Sequence, residues 1–329
     1  MPVDPDLLET YFRLMNSNGL ARAYHSAVES GILGAIARGP QSISQVCETC
    51  ETTSRGTGLL LDAMVACGLA EQEGDTYRAT VIAQMMLFGE YRNLGNKYWD
   101  HLDSFLRDGQ PLVRMDDPSE SEKHYARQAA ILGWMLSPAA AEAAQILKSD
   151  DRISAGSVLD VGAGSAVWSL ALAGLDDATE VTVNDWPTVL ETARESADAL
   201  GLAGRVNLLA GDFHKVDFPP AAFDLAIVAN VAHLETLENF QSLMRRIADS
   251  LRTSGAIVVI DVVIGDGAGR DRTAHALYAI GLALRTEQGC VHQVSDLKSC
   301  LENSGFSSPE FVPLESPPYM LGMLVAFKS

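Results

Sequence analysis

SVLDVGAGSAVW, residues 157–168, decides the fold. Val158, Leu159 and Val161 form the short apolar run of a buried strand, and Asp160 interrupts it near its end. Small residues, Gly162 to Ser165, then turn the chain, and Ala166 to Ala173 carries a helical pattern. A strand, a tight turn and a helix N-terminus form a place where a ligand meets bare backbone. Gly162 and Gly164 have no Cβ, so the chain can bend sharply there and lie close to that ligand. A dinucleotide turn of the G-x-G-x-x-G kind expects glycine where Val167 stands, which argues against NAD or FAD. A phosphate-cradling G-x-x-x-x-G-K-[ST] loop is absent, and no lysine lies between Lys148 and Lys215.

Downstream of the turn, strands and helices alternate. Strands are expected at 180–184, 206–209, 223–229 and 255–263, with 311–314 and 321–327 closing the chain around Ser316-Pro317-Pro318. Trp186-Pro187 opens a helix with Val189, Leu190 and Ala193 on one face, and 237–251 reads as an amphipathic helix. This pattern predicts a doubly wound, mostly parallel seven-stranded sheet with its ligand at the C-terminal strand ends. Asp160, Asp185 and Asp212 all fall at such ends. A carboxylate at 185 can accept both ribose hydroxyls of a nucleoside. An acid at 212 can take an adenine amino group while the ring of Phe213 stacks on the base. Each acid alone also reads as a helix cap or a solvated turn residue. Together they suit a nucleoside with a cationic end and repel one bearing phosphates.

The order LDVGAGSA, NDWP, LAGDF, NVAH resembles the class I S-adenosylmethionine (SAM)-dependent small-molecule O-methyltransferases of plant and bacterial natural-product type. Their turn is written D-x-G-x-G-x-G, and Ala166 stands here for its last glycine. The resemblance covers essentially the whole chain. Upstream, GPQSISQVCETC and LLLDAMVACGLAEQEGDTYRAT are similar to that family's N-terminal winged-helix-like dimerisation domain. It implies an α/β Rossmann-like SAM-binding domain behind a mainly α-helical N-terminal domain, a homodimer, and no metal. The cofactor-binding set it implies is Asp160, Gly162, Gly164, Asp185, Trp186, Asp212, Phe213 and Asn230.

The reaction it implies is methyl transfer to a hydroxyl oxygen of a small aromatic secondary metabolite, with His233 as general base. Such a transfer is an in-line displacement that needs a nucleophile held at contact distance and relieved of its proton. An ordinary imidazole is a weaker base than phenolate by about 3.5 pK units, roughly 5 kcal/mol, so the cofactor's positive charge must help. Leu234 replaces the acid that usually follows the histidine, and the stretch 288–294, QGCVHQV, holds no acid in the family's register. Either Glu287 or His292 substitutes, or the base is unassisted, or His233 is not a base. The incomplete base machinery leaves carbon methylation, or another use of SAM, open beside oxygen methylation. A non-catalytic dimeric regulatory module is the reading from outside enzymology. Asn230 and Glu235 lie close enough in sequence to orient a substrate hydroxyl.

Upstream, residues 5–38 read as helices up to the Gly39-Pro40 stop. Ser42 caps a short helix, a second ends at Gly68, and 69–80 forms a hairpin around Glu73-Gly74-Asp75. Helix, helix, hairpin is also the outline of a DNA reader. The recognition stretch offers only Arg55 as a cation, so no nucleic-acid partner is expected. From Met85 to Leu147 the chain is rich in aromatic residues and methionine, including Phe88 and Tyr91. Trp99, Tyr125, Trp134 and Met135 are the candidate pocket residues for a flat apolar substrate. The expected domains are 1–95, a connector at 96–150, and 151–329.

The 329 residues carry a formal net charge of −19, are 47% hydrophobic and include five cysteines. That is the balance of a soluble chain that repels polyphosphate. Cys47-x-x-Cys50 has no second pair to complete a zinc site, and the cysteines suit a reducing cytoplasm. The acidic N-terminus does not resemble a signal peptide, and no apolar run was expected to approach the roughly 18 residues of a membrane span.

Overall fold

A computed structural model describes residues 5–87, 90–265 and 272–329, leaving aside the side chains of residues 5, 90 and 91. Phe88 and the ring of Tyr91 therefore lie outside the described residues. Contacts divide the chain into two compact units, Met1–Asn96 and Lys97–Ser329.

The first unit carries α1 (Pro5–Glu29), α2 (Ile32–Ala37), β1 (Gln41–Ser42), α3 (Ile43–Cys50), α4 (Ser54–Ala66), β2 (Ala70–Glu73), β3 (Thr76–Ala79) and α5 (Val81–Met86). Asn18-Gly19 does not break α1. Ser42 caps α3 reciprocally with Gln45. The hairpin β2–β3 turns on Gly74 at φ 62 and pairs β1, giving a three-stranded sheet ordered β1-β3-β2. Tyr24, Leu33, Ile36, Leu61 and Met64 fill its core.

The second unit begins within α6 (Asn96–Trp99) and continues through α7 (Leu102–Asp108) and the long α8 (Pro118–Ser149). Then follow β4 (Ser157–Val161), α9 (Val167–Ala173), β5 (Glu180–Asp185), α10 (Leu190–Ala199), β6 (Val206–Ala210) and β7 (Phe223–Ala229). The chain closes with α11 (Leu237–Ser250), β8 (Leu251–Val262), α12 (Arg272–Ala283), α13 (Val294–Glu302), β9 (Phe306–Pro313) and β10 (Leu321–Lys328). The helix expected at Trp186-Pro187 starts at Leu190, because residues 186–189 form a turn.

The sheet order is β6-β5-β4-β7-β8-β10-β9, with β10 antiparallel to both neighbours and the other pairs parallel. Along β7, Leu225 and Ile227 pack into one apolar cluster and Ala226 and Val228 into the other. Both faces are covered, which is why this strand reads as continuous hydrophobe. The chain leaves β4 for β5 on one side and returns to β7 on the other, so a crevice opens beyond the C-terminal end of β4.

By length and composition α8 would pass for a membrane span, against the expectation from sequence. Its Ala139, Ala140, Ala143 and Leu147 are instead buried in the core of the second unit.

Candidate active site

The ends of β4, β5, β6 and β7 open onto a cavity of about 440 Å³, closed on one side by α8. The turn after β4 shows why its residues are small. Gly162 sits at φ 65, and a Cβ there would lie 2.7 Å from Val231 Cγ2. Gly164 sits at φ 58, and its N–H donates to Asp185 Oδ2 at 2.8 Å. Ala166 also adopts the left-handed region, φ 59 and ψ 24. The backbone of the missing glycine is thus kept by a residue for which it costs about 1–2 kcal/mol.

Asp185 ends β5 on the cavity wall, 8% exposed, and also accepts the Trp186 N–H at 2.7 Å. Burial pushes its carboxyl up to about 6, against the pull of these two N–H groups and with help from Glu122. Trp186 lines the cavity beside it, and its indole N–H donates to Ser121 of α8 at 3.3 Å. Asp212 accepts the His214 N–H at 2.9 Å and meets Lys215 Nζ at 3.1 Å. The ring of Phe213 approaches the bare face of Gly162. Asn230, at φ 57 just past β7, lines the cavity with a buried Oδ1 that has no partner among the described residues.

Asp160 is different. It lies beneath the turn, 1% exposed, and is absent from the cavity wall. Its Oδ2 accepts the Ser169 hydroxyl at 2.5 Å, and its Oδ1 has no partner among the described residues. Burial pushes this carboxyl up to about 7, the Ser169 bonds oppose the rise, and the charge of Asp185 adds to it. In register Asp160 pairs with Val183, two residues short of Asp185, so Asp160 sits deeper in the sheet and only Asp185 of the two reaches the cavity wall.

His233 is held in a short 3-10 turn, Ala232–Leu234, after β7. Its partner is Asp261, which the sequence reading missed. Nδ1 lies 2.7 Å from Asp261 Oδ1, and the His233 backbone N–H donates to Oδ2 at 3.0 Å. Asp261 is 1% exposed near the end of β8. With the proton on Nδ1, Nε2 carries the lone pair. Nε2 faces the Tyr278 hydroxyl at 3.4 Å. His233 is 8% exposed and is absent from the cavity wall, although Val231 and Leu234 on either side of it line that wall.

Neither expected substitute reaches His233 as an orienting acid or base. His292 is buried, with Nε2 at 3.0 and 2.9 Å from the carbonyls of Ala232 and Glu235. It pins the backbone around His233 and cannot use that nitrogen elsewhere. Glu287 is on the cavity wall but exposed, its carboxylate 3.7 Å from Arg114 and its backbone N–H held by Asp116. Glu235 turns its carboxylate to His214 Nε2 at 2.9 Å, and both residues line the cavity.

Of the candidate pocket residues, Tyr125 lines the cavity. Trp134, Met135 and Trp99 do not, being 42%, 41% and 37% exposed. The cavity face of α8 is Tyr125, Ala129, Leu132, Gly133 and Leu136. Helical spacing turns 134 and 135 away from that face.

The residues present fit a nucleoside with a cationic tail: a glycine-lined cradle, a buried carboxylate at the end of β5, an acid and a ring after β6, and an Asn230 acceptor with no partner among the described residues. Residues 120–307 match the model of the O-methyltransferase domain family, and the chain belongs to that family. It is an S-adenosylmethionine-dependent O-methyltransferase acting on a small molecule. It is 29% identical over 309 residues to the mouse acetylserotonin O-methyltransferase, covering 84% of this chain and 78% of that one. It is 27% identical over 327 residues to the tetracenomycin polyketide synthesis 8-O-methyl transferase of Streptomyces glaucescens, covering 90% and 91%. The structure of human N-acetylserotonin methyltransferase in complex with SAM superposes with a TM-score of 0.75 at 22% identity, over 97% of this chain and 98% of that one.

Proposed function

We propose that the chain methylates a phenolic hydroxyl of a flat, apolar secondary metabolite, with His233 as general base and Asp261 as the acid that orients it. The observation that carries this reading is the Nδ1–Asp261 bond of 2.7 Å, which leaves Nε2 as the nitrogen able to take a proton. When bound, the cofactor supplies an electrophilic sulfonium methyl and leaves as S-adenosylhomocysteine. His233 receives the acceptor's O–H proton on Nε2 as the oxygen–methyl bond forms, and Asp261 stabilises the resulting imidazolium. Asp185 holds the ribose, Asp212 and Phe213 hold the adenine, and Gly162 and Gly164 let the backbone approach. Asp160 sets the shape of the turn from beneath. Tyr125, Leu132 and Leu136 supply the apolar wall for a flat acceptor.

We read the chain as a cytoplasmic homodimer built on a winged-helix-like N-terminal domain, with no nucleic acid or membrane partner. The dimer reading is supported by α1, whose Leu7, Tyr11, Leu14 and Met15 are exposed in the single chain. All five cysteines are unpaired, which suits a reducing compartment. The test is transfer of labelled methyl from SAM to a panel of phenols. A His233→Gln variant is expected to lose at least a thousandfold in kcat with its affinity for S-adenosylhomocysteine kept. A near-normal rate in that variant removes the general-base assignment.

A further inference from the structure

Tyr278 stands on α12 with its hydroxyl 3.4 Å from His233 Nε2 and its ring edge-on to the imidazole, centroids 5.8 Å apart at 84°. The other ring nitrogen is taken by Asp261. The nitrogen that would receive the acceptor's proton therefore already faces a phenol, and His233, 8% exposed, is absent from the wall of the cavity that Val231 and Leu234 line. At 3.4 Å the contact is long for a hydroxyl donor, whose usual distance is about 2.7–2.8 Å, so it is weak and replaceable. The helix beneath it is lightly anchored, with Leu282 its buried side chain among the described residues.

Resting on the general-base reading above, we infer that Tyr278 holds the acceptor's place at His233. Its phenol occupies the position of the substrate hydroxyl, and binding requires the acceptor to displace it. Tyr278 is thereby a specificity-determining residue. Nε2 with its lone pair accepts only from a hydrogen-bond donor, so an acceptor that brings a hydroxyl, such as a phenol or an enol, displaces Tyr278. Aromatic carboxylates do not, because an ionised carboxylate has no proton to give and meets the charge of Asp261.

The test uses the 329-residue chain loaded with S-adenosylhomocysteine, and 1-naphthol and naphthalene as paired probes. Tyr278→Phe is expected to bind 1-naphthol about fivefold more tightly than wild type, the loss of one weak competing hydrogen bond. Naphthalene affinity is expected to change by less than about twofold, because it has no hydroxyl to place at Nε2. In a His233→Gln background the gain for 1-naphthol is expected to disappear. Unchanged or weaker 1-naphthol binding in Tyr278→Phe, an equal gain for naphthalene, or a gain that survives His233→Gln overturns the proposal. A second readout needs no Tyr278 variant: 1-naphthol added to the wild-type complex is expected to shift the His233 Nε2 nitrogen resonance, and no shift overturns the proposal. The two readings fail separately. If His233→Gln still transfers methyl at a near-normal rate, the base assignment falls. If that variant is inactive and the naphthol gain is missing, only the role of Tyr278 falls.

Discussion

The two sides of the switch point handle buried carboxylates in opposite ways. On the β4–β5 side, Asp160 and Asp185 are buried with hydroxyl and backbone N–H donors and, among the described residues, no cation paired to them, and burial raises both carboxyls. On the β7–β8 side, Asp261 is as deeply buried but has a histidine 2.7 Å away and two backbone N–H groups on its oxygens. The second side is satisfied by the chain itself. On the first, Asp185 is the carboxylate that the proposed cofactor contact would complete, with ribose hydroxyls and a cationic end, whereas the imidazole is oriented by Asp261 within the chain.

The largest expected effect breaks the β7–β8 side. His233→Gln loses at least about a thousandfold in kcat, and Asp261→Asn about a hundredfold, by mis-setting the ring and its tautomer. Both should retain S-adenosylhomocysteine affinity within about threefold by calorimetry, if the two sides work independently. On the β4–β5 side, Gly162→Val is expected to abolish measurable cofactor binding, since even a Cβ there meets Val231 at 2.7 Å and the backbone is left-handed. A smaller effect concerns pH and stability. The folded, ligand-free protein keeps protons on Asp160 and Asp185 up to about 7 and about 6, whereas the unfolded chain releases them near pH 4. The folded state binds more protons through that window, so this contribution to stability falls as pH rises from about 4 to 7. Thermal melts should show that slope in the ligand-free protein, and Asp160→Asn should flatten it. The smallest effect is Ala166→Gly: relief of a left-handed alanine, less one buried methyl, should raise unfolding stability by under about 1 kcal/mol in denaturant titration.

The same contrast explains what the sequence could and could not reveal. The β4–β5 side is local. A strand, its turn and the next strand end lie within 29 residues, from Ser157 to Asp185, and the positive-φ positions announce themselves as glycine or as the small Ala166. The β7–β8 side is topological. Asp261 meets His233 because β7 and β8 are parallel neighbours, a pairing across 28 residues and a whole helix. Its signal was nonetheless present: an acid inside the apolar run IVVIDVV, the same interruption that marked Asp160 in SVLDV. Glu287 and His292 lie near the family's usual position for the orienting acid, downstream in the chain, whereas Asp261 lies on the neighbouring strand. The phase of α8 was the other loss. Aromatic content singled out Trp134 and Met135, while the cavity is lined by the plainer Ala129, Leu132, Gly133 and Leu136 of the same helix. Ring size is conspicuous in a sequence, but the angle around a helix decides who faces a ligand.

The proposed role of Asp185, a raised carboxylate that the cofactor completes, is tested most directly by the affinity for S-adenosylhomocysteine as a function of pH. Asp185, with its carboxyl raised to about 6, must be ionised to accept both ribose hydroxyls. Below that value each pH unit should weaken binding about tenfold. Calorimetry at pH 7.5 and pH 5 is therefore expected to show about a tenfold loss at the lower pH, and no such loss in Asp185→Asn. A wild-type affinity that is flat between those two values contradicts the account.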